Sequence, residues 1–195
     1  MRSIKKEIRI LAFDDASFTP RSKGKVAVVG VVFKGGREFE GMIKTEVEID
    51  GLDATDVVAE VVNKSKYKEE LRVLMFKGVT IAGFNVIDIK KLNEKIKLPV
   101  IIVSRKLPDF LKIKKALKHF EDGELRWEAI KNAGKVNKLK TENNKNVYYQ
   151  FSGLDSKEAE KIILLSCTRS SIPEPLRVAH MIASALVKGE SGGRA

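Results

Sequence analysis

The stretch ILAFDDASF, residues 10–18, runs four apolar residues straight into two adjacent aspartates. An apolar run of this kind without alternation, expected over residues 8–13 as the first strand, reads as a strand covered on both faces. Two readings of its end are open. Surface turns use aspartate freely, so Asp14 and Asp15 can belong to the loop after a strand. They can also be metal-binding acids at the carboxyl end of a central strand, where sheets with helices on both faces gather their ligands.

Working outward, KVAVVGVVF (residues 25–33) is β-branched and strand-like, Gly35-Gly36 offers a hairpin turn, and residues 39–49 make a third strand closed by Asp50-Gly51. Asp53 then starts a helix as its N-cap. From there strand and helix alternate: a strand at 71–76, a helix at 86–96, a strand at 98–104, then helices at 108–120 and 124–133. A polar hairpin is expected around Glu142-Asn143-Asn144, and helices at 156–165 and 174–187 precede a Gly-rich tail. Three antiparallel strands leading into parallel β-α units predict an α/β fold, a mixed sheet with helices on both faces. One domain is expected over residues 1–188, with a flexible tail at 189–195.

Composition narrows the function classes. With 43% hydrophobic residues the chain should fold. The single cysteine, Cys167, excludes a disulfide framework and a cysteine zinc site, and a reducing cytoplasm is the simplest setting. The basic N-terminus lacks the h-region of a signal peptide, and no apolar run reaches the ~20 residues of a membrane span. Lys plus Arg number 37 against 26 acids, a net charge of +11. That excess favours a polyanionic partner, chiefly nucleic acid, although Lys/Glu richness also accompanies thermostability.

Asp15, Asp50 and Lys77 each stand just after a predicted strand, as turn residues or as one constellation. Carboxylates converging at strand ends can hold Mg²⁺ or Mn²⁺, hard cations that take oxygen ligands, and a lysine beside them can neutralise phosphate charge. Lys106 is placed for this, although it lies in a lysine-rich face that is otherwise solvated. Gly83, Phe84 and Asn85 form a small loop with one aromatic and one amide, suited to a base pocket; equally, Asn85 can cap a helix and Phe84 can be core. Arg177 and His180, three residues apart on the last helix, share a face that suits phosphate, with a structural histidine as the alternative.

With these segments in view, the chain resembles the endonuclease V superfamily and, within it, the mainly archaeal deoxyuridine endonucleases. IPEPLRVAH (172–180) is similar to that superfamily's LPEP-x-R-x-AH ending, and DASF from Asp15 to its D-x-S-Y/F. IDG (49–51) falls where endonuclease V carries R-E-G, and residues 83–106 run in parallel with its pattern, through I/L-P-x-I-x-V to Lys106. DGLDAT (50–55) and AGFNVID (82–88) are features of the narrower group. The resemblance implies a ribonuclease H-like fold and metal-dependent cleavage of DNA, with RNA an open alternative, near a deaminated base such as uracil. Asp15 and Asp50 would bind metal, Asp88 would assist, Lys77, Lys106 and Arg177 would hold phosphate, and Asp14 and His180 would be accessory. Three departures stand out. Lys77 replaces a metal-binding aspartate, Leu154 replaces a histidine, and the strand-separating Tyr-Ile-Pro is missing before Asp50. The alternative they imply is a non-catalytic nucleic-acid-binding member of the fold.

Overall fold

The computed structural model describes residues 4–20, 22–142 and 144–192. The centre of the predicted turn, Asn143, and the last residues of the predicted tail, 193–195, lie outside them. Strands β1 (Arg9–Asp15), β2 (Lys25–Lys34) and β3 (Glu38–Glu48) form an antiparallel meander. Helix α1 (Ala54–Lys64) leads into β4 (Val73–Lys77), which pairs parallel to β1. A two-stranded ribbon follows, β5 (Thr80–Ile81) with β6 (Asn85–Val86), then α2 (Ile89–Ile96) and β7 (Val100–Ser104), parallel to β4. Helices α3 (Phe110–Leu117) and α4 (Gly123–Asn132) precede the hairpin β8 (Asn137–Lys140) and β9 (Asn146–Ser152), and α5 (Ser156–Ser166) and α6 (Glu174–Lys188) close the fold.

The sheet order is β3-β2-β1-β4-β7-β9-β8, a ribonuclease H-like mixed sheet. β1, β4 and β7 are its parallel centre, and their apolar runs are buried on both faces. The polar hairpin extends this sheet, because β9 pairs antiparallel to β7. Lysines 138 and 140 on β8 place charge on the free edge, which discourages edge-to-edge pairing.

Two predicted helices shorten. The helix expected from residue 86 begins at Ile89, because Asn85 and Val86 pair with Thr80 and Ile81 and the Asp88 carboxylate caps the first turn. The helix expected over 108–120 is shorter, with Asp109 as its N-cap. Its apolar stripe does not face the main core: Leu117, with Ile113 and Phe110, joins Val86, Ile130, Phe84 and Trp127 in a second small cluster. Helices α3 and α4 thus form a cap over the β5–β6 ribbon. On the sheet, α6 packs against β1 and β2 through Leu176, Ala179 and Ala183, all fully buried.

Candidate active site

Side chains alternate across a strand, so the two aspartates ending β1 diverge at their roots. Asp14 is buried and turns toward α6, where its Oδ2 lies 2.8 Å from His180 Nδ1. An ionised carboxylate can only accept, so the Nδ1 proton belongs to this bond. Lys77 Nζ stands 3.6 Å from the same oxygen and 3.4 Å from Nδ1, an ion pair beside the hydrogen bond. The ammonium at the end of β4 thus neutralises one of two adjacent acids.

Asp15 accepts the Ala82 N–H through Oδ2 at 2.7 Å. Burial first, then the charge of Asp14, pushes its carboxyl up to about 6, against the opposing pull of the Ala82 bond. The chain at 82–84 then ties Asp15 to Asp50. The Asp50 N–H donates to the Ala82 carbonyl at 2.8 Å, and Asp50 Oδ1 accepts the Phe84 N–H at 2.7 Å. Asp50 adopts φ 54° to make this turn. Gly83 between them has φ 87°, and a Cβ there would lie 2.2 Å from Asp50 Oδ1, so glycine is required.

Arg126 holds this arrangement from behind, and nothing in the sequence pointed to it beyond an i,i+4 spacing from Asp122. Its guanidinium, 3% exposed, donates to the carbonyls of Asp50 (2.8 Å), Gly51 (2.9 Å) and Phe84 (2.7 Å). It also grips both Asp122 oxygens, at 2.6 and 2.8 Å, and lies 4.5 Å over the Phe120 ring. One buried cation therefore pins the Asp50 turn and the Phe84 segment to α4.

Other expected residues lie elsewhere. Asn85 is fully buried, accepting from Ala54 N–H and donating to the Glu48 carbonyl and Asp53, so its amide is spent on the core and not on a base edge. Asp88 caps α2 through the N–H groups of Lys90 and Lys91 and accepts from Asn132. Arg177 presents two guanidinium nitrogens to Glu174, at 2.9 and 2.5 Å, so its charge is already answered where phosphate contact was expected. Lys106 is exposed, and its carbonyl accepts the Ser104 hydroxyl. Phe84 packs in the second cluster, 5.5 Å from Phe120, while also lining a cavity with Gly83 and Asp50.

The three-acid set Asp15, Asp50 and Asp88 does not converge: among the described residues, no three Asp, Glu, His or Cys side chains form a metal cage. The donor chemistry still fits Mg²⁺ or Mn²⁺. Asp14 and Asp15 are hard oxygen donors within reach of each other, and Mg²⁺ commonly uses one or two carboxylates with the remainder from water and phosphate.

A family model described as endonuclease dU matches residues 6–187. A UPF0215 protein of Methanosarcina acetivorans is 51% identical over 193 residues, covering 98% of this chain and 97% of its own length. One from Pyrococcus furiosus is 45% identical over 193 residues, covering 98% of each. Among solved structures, a protein of unknown function from Archaeoglobus fulgidus has a TM-score of 0.84 at 38% identity, covering 94% of this chain and 100% of that one. Endonuclease V from Ciona intestinalis, solved with DNA containing an inosine followed by a ribo-adenosine, has a TM-score of 0.64 at 16% identity, covering 94% and 87%. That last likeness is one of fold alone. The family model and the near relatives run along almost the whole chain, and it therefore belongs to the endonuclease dU family.

Proposed function

We propose that this protein is a metal-dependent endonuclease that cuts DNA beside a deaminated base, with uracil as that base. The observation carrying this reading is the adjacent pair Asp14 and Asp15 at the carboxyl end of the central strand, with Asp15 raised to about 6. A carboxyl kept from easy ionisation by burial and a like charge is what a bound cation relieves. The family description supports cleavage at deoxyuridine.

In this reading Asp14 and Asp15 hold Mg²⁺ or Mn²⁺. When bound, such an ion supplies Lewis acidity at a phosphate oxygen. Lys77 balances the charge of Asp14 and faces the incoming phosphate with its partly exposed ammonium. His180, with Nδ1 engaged by Asp14, offers Nε2 as the atom that takes or gives a proton. Asp50 shapes the cavity wall with Gly83 and Phe84, and Lys106 draws the DNA backbone to the same edge of the sheet.

The test is cleavage of a labelled uracil-containing strand with Mg²⁺ or Mn²⁺, by wild type and by Asp15→Asn. The expected result is metal-dependent nicking by wild type that falls at least 100-fold in the variant. Intact DNA with both metals, under conditions where the protein binds it, would sink the endonuclease reading. One observation favours a second reading, a binding-only protein: the Lys77 ammonium already neutralises Asp14. That reading expects binding without cleavage and without a metal requirement.

A further inference from the structure

A cavity of about 1200 Å³ opens beside the candidate site. Its lining brings together Phe18 and Lys23 from before β2, Asp50 and Phe84 from the turns around β3 and β6, and His119 and Phe120 from just after α3. Pockets that hold a drug-sized ligand span ~300–1,000 Å³, and one nucleobase is smaller than such a ligand. The space exceeds what a single extruded base needs.

The lining chemistry points the same way. Phe84 and Phe120 stand 5.5 Å apart at an interplanar angle of 56°, and Arg126 backs Phe120 at 4.5 Å, so these rings are held in place. Among the described residues no buried side-chain nitrogen or oxygen lacks a partner. The amide adjacent to Phe84, on Asn85, is fully committed inside the protein. The rings of Phe84 and Phe120 can hold bases by stacking, which tolerates any sequence, beside the accessible polar groups of Ser22, Asp50 and His119. Lys23 and Lys25 line the cavity as exposed cations suited to a phosphate backbone.

We propose that this cavity seats an unpaired run of at least two nucleotides, so that DNA is presented to Asp14 and Asp15 as a single strand. The inference rests on the nuclease reading for its location but predicts binding properties of its own.

Fluorescence anisotropy in EDTA tests it, using a labelled 12-nucleotide strand and the matching duplex. Unlabelled mono- and dinucleotides serve as competitors. The expected results are at least 10-fold tighter binding of single strand than duplex and a dinucleotide competing at least five-fold better than a mononucleotide. Phe120→Leu, which keeps apolar bulk and removes the ring, should weaken single-strand binding at least five-fold and leave duplex binding unchanged. Equal affinity for duplex, equal competition by the mononucleotide, or an unaffected Phe120→Leu would overturn the proposal. If circular dichroism shows that this variant fails to fold, the wild-type comparisons decide. Failure to cleave uracil DNA with the single-strand preference intact removes the endonuclease reading and leaves this one standing.

Discussion

At the scale of the residue, Asp15 opposes stability in a way that tests its environment. Its carboxyl takes a proton at about 6 in the folded protein, against 3.8 for an ordinary aspartate. Between those values the folded state holds more protons than the unfolded state, so stability falls as pH rises through the window and stays lower above it. At pH 7.5 without divalent metal, Asp15→Asn removes the penalty and should stabilise the protein by about 1–3 kcal/mol. Near pH 3.5 the two proteins should melt alike. Thermal melts in EDTA from pH 3.5 to 8 check this, and a variant no more stable at pH 7.5 would show that Asp15 ionises without strain. Asp122 behaves oppositely: Arg126 holds its carboxyl below the usual range, a contribution present at neutral pH and lost on acidification.

At the scale of the element, α4 matters because it locks the turn after β3 and the segment before β6. Replacing Arg126 by Met leaves Asp122 without its partner and strips a donor from three carbonyls. Urea unfolding should show a loss of about 2–4 kcal/mol. Arg126→Lys should recover less than half of that, since an ammonium on a flexible stem cannot serve two carboxylate oxygens and three carbonyls together. A loss below ~0.5 kcal/mol for the Met variant would mean that α4 does not hold these turns. The same element explains why the predicted stripe at Phe110, Ile113 and Leu117 lies off the sheet: its partners are on α4 and β6, and periodicity reports an apolar face without saying what covers it.

At the scale of the whole molecule, the charge of +11 acts through exposed lysines. Helix α3 shows Lys112, Lys114 and Lys115 to solvent, with Lys118 just beyond it. Binding to a single DNA strand should therefore follow counterion release. Four neutralised phosphates predict an affinity falling about 50-fold between 50 and 200 mM NaCl. Anisotropy titrations across that range measure the slope, and a flat salt response would show that the charge serves stability and not binding. Among the described residues, no helix is long and apolar enough to cross a membrane.

By itself the sequence determined the order of the main strands and helices, though not the short β5–β6 ribbon, together with the buried parallel centre and the family, because apolar runs, turn residues and ordered motifs are local signals. It also marked Asp15, Asp50 and Lys106 as catalytic candidates, Lys77 as a phosphate contact, and Asp14 and His180 as accessory residues. Only the tertiary structure decided their relations. His180 is 166 positions from Asp14, and their 2.8 Å bond exists because α6 packs across β1. Asn85 and Asp88 look like site residues in a linear motif, yet folding spends their polar atoms on buried backbone and a helix N-terminus. Arg126 shows the converse, a helix residue outside any motif made central by three carbonyls that arrive from other elements. A residue's type is written in the chain, but which of its hydrogen-bonding atoms remain for a ligand depends on neighbours that only packing brings together.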